Sequence, residues 1–74
     1  MSGPQQECFE VLVNGEQSHA TTGQTLLDFI KSLGLDETRV AIEMDGVIIK
    51  RNGWANALLR PGSRLEIVQF VGGG

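Results

Sequence analysis

Two turn signals constrain the fold of this chain more than any other feature. Asn14-Gly15 and Asp45-Gly46 each follow a short run that has a large apolar residue at every second position. Alternation with a period of two indicates a strand, and Asn-Gly or Asp-Gly joins two antiparallel strands because both residues tolerate positive φ. The sequence therefore predicts two β-hairpins. Their strands span residues 9–13 and 16–20 in the first hairpin, and residues 40–44 and 47–49 in the second.

Residues 25–33, between the two hairpins, are predicted to form a helix. The hydroxyl of Thr25 can cap the first backbone N–H groups. Gly34 suits the left-handed residue that commonly ends a helix. Apolar residues recur at helical spacing, and we expect two of them, Leu27 and Ile30, to be buried. The whole stripe consists of Leu26, Leu27, Phe29, Ile30 and Leu33.

The last third of the chain is predicted to add one helical turn and one strand. Residues 54–59 are too few for a full helix, so we expect a single turn around an anchoring Trp54. Pro61-Gly62 then turns the chain into a final strand over residues 64–71. The predicted order is ββαβββ, which places the helix on one face of a single sheet.

The length and composition of the chain exclude several classes of protein. The 74 residues make one domain, with residues 1–7 as a polar leader and residues 8–71 as the folded part. Six Lys and Arg against nine Asp and Glu offer no basic stripe for nucleic acid. No apolar run is long enough to span a membrane, and no secretory signal opens the chain. We therefore expect a cytoplasmic location.

No set of side chains points to catalysis. Cys8 is the only cysteine, so neither an internal disulfide nor a cysteine metal cluster can form. His19 is the only histidine and reads as a surface residue, as does the pair Asp36-Glu37. Trp54 reads as a core residue. The sequence therefore predicts a protein that is not an enzyme and that has no metal site or cofactor of its own.

The chain ends in Val71-Gly72-Gly73-Gly74, directly after the last predicted strand. Glycine has no Cβ, so a segment of this kind can pass a narrow entrance and present a terminal carboxylate. One interpretation is that Gly74 carries the functional group, with Gly72 and Gly73 as a flexible tail. The other is a frayed tail without a function.

Strand parity gives a second functional hypothesis. If Leu65 faces the helix, then Val68 and Phe70 face away from it, and Leu12 of the first strand does so too. Together with Val71 they would form an apolar docking patch beside the tail. Alternatively, a loop or the leader covers these side chains.

The ordered set of these motifs resembles the ThiS family, the ubiquitin-like sulfur carriers of thiamine biosynthesis. The resemblance covers residues 8–74 and implies an α+β, β-grasp fold, with a mixed sheet of four to five strands and one main helix on one face. It is carried by Asn14-Gly15, Thr25-Leu26-Leu27, Leu33-Gly34-Leu35, Val40-Ala41-Ile42, Asp45-Gly46, Trp54, Leu58-Leu59, Pro61-Gly62, Glu66-Ile67-Val68 and the terminal Val71-Gly72-Gly73-Gly74.

The resemblance also implies a reaction and its partners. An E1-like (ThiF-like) adenylyltransferase, which uses ATP and Mg²⁺, would activate the carboxylate of Gly74. A sulfur donor such as a cysteine desulfurase would convert it to a thiocarboxylate. A ThiG-like thiazole synthase would then take the sulfur into the thiazole ring.

Three other functions are compatible with the same sequence. The small subunit of molybdopterin synthase, or another MoaD-like carrier, has the same fold, tail and activation. A ubiquitin-like modifier would join the same tail to lysines of target proteins. A plain β-grasp interaction domain would have an inert tail. The chemical product, thiocarboxylate or isopeptide, distinguishes the carriers from the modifier.

Overall fold

The computed structural model of the protein describes residues 7–71. The predicted tail, residues 72–74, and residues 1–6 of the predicted leader lie outside the described residues. Five strands are present: β1 (Cys8–Val13), β2 (Glu16–Thr21), β3 (Val40–Met44), β4 (Val47–Ile49) and β5 (Arg64–Gln69). The helix α1 spans Leu26–Ser32, and two short 3₁₀ turns cover Glu37–Arg39 and Arg51–Asn56.

The five strands form one mixed sheet in the order β2-β1-β5-β3-β4. Each predicted hairpin is antiparallel, and β5 lies between them, parallel to β1 and antiparallel to β3. The helix α1 connects the two hairpins and buries its apolar side against one face of the sheet. This arrangement is the β-grasp fold, which confirms the fold class expected from the sequence.

Both hairpin turns have the backbone that their sequences predict. Asn14 and Gly15 have φ values of 51° and 83°, and Asp45 and Gly46 have φ values of 53° and 86°. Positive φ at both central residues defines the type I′ turn, whose twist matches that of the flanking strands. The two hairpin predictions are confirmed.

The ends of α1 are set by local hydrogen bonds. At its start the backbone N–H of Asp28 donates to Thr25 Oγ1 at 3.1 Å, and the N–H of Thr25 donates back to the Asp28 carboxylate at 3.3 Å. This reciprocal pair is a capping box. At its end Gly34 has φ 74°, and the N–H of Leu35 reaches the carbonyl of Ile30 at 3.4 Å. This 6→1 hydrogen bond, from the second residue after the helix cap back to the last turn of α1, defines a Schellman motif.

The core lies between α1 and the sheet. From the helix, Leu26, Phe29 and Ile30 are buried. Leu27 was expected to be buried as well, but it is only partly buried. It lies about 100° around the helix from Leu26, at the margin of the packed face. The buried apolar residues of the core are Val11, Ala20, Leu26, Phe29, Ile30, Val40, Ile42, Trp54, Leu59 and Leu65.

Trp54 anchors the second 3₁₀ turn, as predicted, but the turn begins earlier than expected. It spans Arg51–Asn56 instead of residues 54–59. The indole Nε1 of Trp54 donates to the carbonyl of Ile49 at 2.9 Å, and the Trp54 side chain is 1% exposed. A single turn of i to i+3 bonds leaves no apolar periodicity in the sequence, so its limits cannot be read from the pattern.

The final strand is shorter than predicted. β5 ends at Gln69, which pairs with Val40, and not at residue 71. Strand ends commonly shift by one or two residues, because apolar alternation continues after the ladder of hydrogen bonds has stopped. Among residues 7–71, no helix has both the length and the apolar character required to cross a membrane.

Replacement of Ile30 by Ala should destabilise the domain strongly. Ile30 is fully buried beneath the sheet, so truncation leaves a cavity and should cost about 2–5 kcal/mol of unfolding free energy, measured by urea denaturation. Leu27→Ala is the matched control and should cost clearly less, because Leu27 is only partly buried. Equal losses for the two variants would contradict the packing described here.

Candidate functional site

The carboxyl end of β5 is where the chain leaves the sheet. The last backbone bond of the described chain runs from the N–H of Phe70 to the carbonyl of Arg39 at 2.7 Å. The next residue, Val71, is 92% exposed. The strand therefore carries the chain outward from the middle of the sheet and releases it immediately before the glycine run.

Asn14 holds β5 close to this exit. Its side-chain Nδ2 donates to the carbonyl of Ile67 at 3.1 Å, and its Oδ1 accepts the N–H of Ile67 at 2.8 Å. The amide group thus takes the place of a peptide unit and continues the pairing of β1 with β5 beyond Val13, the last paired residue of β1. This clamp lies four residues before Val71.

Sequence reasoning assigned Asn14 to the hairpin turn and missed its second role. The turn is a local feature that the dipeptide Asn-Gly predicts. The partner of the side chain is 53 residues away, and only the register of β5 brings the two together. Nothing in the local sequence could have indicated it.

The 3₁₀ turn Glu37–Arg39 supports the exit from the other side. Asp36 caps this turn: its Oδ1 accepts the backbone N–H of Thr38 at 2.9 Å and the hydroxyl of Thr38 at 2.6 Å. These bonds, together with the nearby Arg39, hold the pKa of the Asp36 carboxyl below its ordinary value. The cap is therefore retained at neutral pH and is lost only as the pH falls through that lowered pKa. It fixes the segment whose carbonyl receives Phe70.

The predicted contact residues do not all lie together. Val68 and Phe70 are each 56% exposed, and they lie next to Val71 at the exit. Leu12 is only partly buried, but it is opposite Arg64, at the beginning of β5. Four residues of strand, about 13 Å, separate that position from Val68. The structure therefore groups Val68, Phe70 and Val71, and it places Leu12 at the far end of the strand.

The open face of the sheet has a further apolar residue that sequence analysis did not select. Ile48 of β4 is 75% exposed. It is opposite Glu43 of β3, and Ala41 of β3 is opposite Val68. These residues, with Glu66, line a shallow depression of about 240 Å³. The register of the second hairpin is enough to place Ile48 on this face, but only the order of the strands brings it into the same depression as Val68.

Other candidate residues stay apart from the exit. Cys8 is exposed at the start of β1, and His19 is exposed on β2, opposite Glu10. Within residues 7–71, no three His, Cys, Asp or Glu side chains lie close enough together to hold a metal ion. The candidate site is therefore the end of β5 and the sheet face beside it. It consists of an exposed surface that a partner could contact and of the segment that leads to the chain terminus.

Comparison with known proteins identifies the family. A model of the ThiS family matches residues 5–74. The chain belongs to the ThiS family. That match extends from the leader through the whole sheet to the last glycine, so the ThiS resemblance read from the sequence is confirmed.

Two curated relatives align with 65 residues, or 88%, of this ThiS-family chain. The sulfur carrier protein ThiS of Escherichia coli K12 is 23% identical, and 98% of its length is aligned. A thiazole synthase of Paramagnetospirillum magneticum AMB-1 is 32% identical. The chain spans only 20% of the length of that thiazole synthase.

Solved structures share the fold. A crystal structure of the thiamine biosynthesis protein ThiS from Geobacter metallireducens superposes with a TM-score of 0.71 at 23% identity, covering 89% of this chain and all of that one. A solution structure of a thiamine biosynthesis protein from the same organism gives the same TM-score at 22% identity, covering 89% of this chain and 88% of that one.

Replacement of Asn14 by Gly should loosen the end of β5. Glycine keeps the positive φ of the turn but removes both side-chain hydrogen bonds to Ile67, so we expect a loss of about 1–2 kcal/mol in urea denaturation. The amide proton of Ile67 should also exchange faster with solvent. Asp45→Gly is the matched control, since Asp45 occupies the same turn position and its side chain accepts only one such bond, from Arg64. If the two variants lose equal stability, the clamp contributes nothing.

Proposed function

We propose that this chain is a sulfur carrier of thiamine biosynthesis and that the carboxylate of Gly74 carries the sulfur. The observation that supports this best is the ThiS family match, which includes the glycine end of the chain. The E. coli relative that aligns over nearly its full length is a sulfur carrier protein. These comparisons favour the thiamine carrier over the molybdopterin synthase subunit, the protein modifier and the inert domain.

The proposed chemistry begins with activation of the carboxylate. A carboxylate is a poor electrophile because oxide is a poor leaving group. Attack of a Gly74 oxygen on the α-phosphorus of ATP releases pyrophosphate and forms an acyl adenylate. The terminal sulfur of a persulfide then attacks the acyl carbon and AMP leaves. A thiol cleaves the resulting S–S bond, which frees the thiocarboxylate and leaves the donor side as a disulfide.

The side chains of this protein take no part in those steps. ATP and Mg²⁺ are supplied by an E1-like, ThiF-like adenylyltransferase, and sulfur by a donor such as a cysteine desulfurase. Both are expected in the cytoplasm. The contribution of this chain is position: Asn14 and the turn Glu37–Arg39 hold β5, and Gly72 and Gly73 extend the terminus. Correct placement of reacting groups lowers a barrier by several kcal/mol, on the order of 7–11 in well-aligned cases.

The proposed acceptor is a ThiG-like thiazole synthase. The P. magneticum relative bears the name thiazole synthase, and about one fifth of its length aligns with this chain. A carrier-like segment inside a protein of that name supports the view that carrier and synthase act together.

Incubation with the cognate adenylyltransferase, ATP, Mg²⁺ and a sulfur donor should convert the chain to its thiocarboxylate. Mass spectrometry of the intact protein should show one oxygen-to-sulfur exchange, and fragmentation should place it on Gly74. Deletion of Gly74, or addition of one residue after it, should abolish the exchange, because the reacting carboxylate is then displaced. Circular dichroism should show that both variants keep the fold.

Two results would overturn this proposal. The first is an unchanged mass for the wild-type chain with its cognate enzymes. The second is sulfur located on Cys8 instead of Gly74. A product joined to lysine side chains through an isopeptide bond would favour the protein-modifier function.

The exposed residues at the exit, Val68, Phe70 and Val71, together with Leu12, are proposed to contact the activating enzyme. Phe70→Ala should raise the Kd for that enzyme, measured by calorimetry, because an exposed aromatic side chain contributes chiefly when a partner covers it. Its melting temperature should stay nearly unchanged, since Phe70 is 56% exposed. A large drop in melting temperature with a normal Kd for the folded fraction would show instead that Phe70 serves the fold.

A further inference from the structure

Two glutamates lie directly opposite each other in the middle of the open sheet face. Glu43 of β3 pairs in register with Glu66 of β5. Their neighbours in sequence, Ile42 and Leu65, are buried on the helix side, so both carboxylates are on the other face. Directly opposed residues have Cβ atoms about 4.5–5.5 Å apart, and like charges at that position destabilise the strand pair.

The described chain does not compensate this pair. Within residues 7–71, the only ion pair joins Arg39 to Asp36. Arg64 is the cation next along the same face of β5, yet none of its nitrogens lies within 4.0 Å of either carboxylate. No side-chain hydrogen bond reaches Glu43 or Glu66 from any described residue, and Glu43 is partly buried.

Apolar side chains lie beside the two carboxylates on the open face. Ile48 is 75% exposed and Val68 is 56% exposed, and both line the same shallow depression as the two glutamates. An exposed apolar patch bordered by polar residues is typical of a surface that binds another protein, and here Ala41, Ile48 and Val68 lie beside the two glutamates. The sheet face beside the exit of β5 therefore has its own charge pattern, and it shares Val68 with the exit.

The negative charge of this face determines which kind of protein surface can bind to it. A second copy of this chain would bring two more carboxylates to the first two, so self-association is disfavoured. A basic side chain placed between Glu43 and Glu66 would relieve their repulsion and form charge-assisted hydrogen bonds with both carboxylates. The neighbouring apolar side chains would exclude water from these bonds once a partner is bound. The face is therefore complementary to an apolar protein surface with a lysine or arginine at its centre.

We propose that the thiazole synthase docks on this face and inserts a lysine or arginine side chain between Glu43 and Glu66. The inference rests on the proposed function for the identity of this partner, which the thiazole synthase relative supports. It adds a recognition surface that is separate from the sulfur chemistry at Gly74. The partner holds the carrier by its sheet while the terminus enters the reaction site.

Charge variants of the full-length chain test this proposal. The probe is the purified thiazole synthase of the same organism, with Kd measured by calorimetry at low and moderate salt. Glu43→Gln and Glu66→Gln should each weaken binding about tenfold, and Glu43→Lys more, because it supplies the basic group from within the chain. The double variant with Glu43→Gln and Glu66→Gln should also show a weaker dependence of Kd on salt concentration.

Thermal unfolding separates this role from a structural one. If the two glutamates served the fold, the variants would unfold at lower temperature. We expect the opposite, since Glu→Gln removes a like-charge contact and Glu43→Lys creates an ion pair with Glu66. Glu16→Gln, an exposed glutamate on β2 at the other edge of the sheet, is the matched control and should change neither Kd nor melting temperature.

Each other outcome overturns the proposal. Unchanged affinity of the glutamine variants, with a normal oxygen-to-sulfur exchange on Gly74, would refute the docking face and leave the carrier function intact. Loss of affinity for the adenylyltransferase alone would assign the face to that enzyme. A wild-type dimer in sedimentation whose dissociation constant the variants change would assign it to a second copy. Absence of binding together with absence of the exchange would refute both proposals.

Discussion

The position of β5 in the middle of the sheet is the constraint on which the rest of the structure depends. An isolated hairpin is marginally stable in water, and the two hairpins of this chain are joined within the sheet only by β5. Leu65, fully buried on the helix side of β5, fixes the strand against α1. The last strand of the chain therefore joins the two halves of the domain, and the fold is complete only when that strand is in place.

The same strand also leads to the proposed reactive terminus, and this links stability to function. Within a few residues the chain changes from fully buried at Leu65, in β5, to 92% exposed at Val71, just after the strand. Asn14 and the carbonyl of Arg39 secure the strand along that transition. A terminus that has to meet a catalytic site in another protein benefits from a fixed origin, because only the few residues beyond it then have to be oriented.

The local features of this fold were predictable from the sequence, and the long-range ones were not. The turns at Asn14 and Asp45 and the cap at Thr25 depend on residues within three positions of each other, so composition and spacing reveal them. The register of β5 depends on contacts across some fifty residues. For that reason the hydrogen bonds from Asn14 to Ile67, the distance of Leu12 from the exit and the proximity of Ile48 to Val68 became apparent only in the structure.

The open face shows how a small sheet can be kept from associating with itself. A five-stranded sheet covered by a helix on one side only leaves its other side to solvent, and here that side contains Ile48 and Val68. Glu43 and Glu66 in the middle lower the stability of the strand pair and make the face repel its own copy. The same two charges attract a surface of opposite sign. An opposed pair of like charges that is unfavourable in the free protein thus becomes a source of specificity once a basic partner separates them.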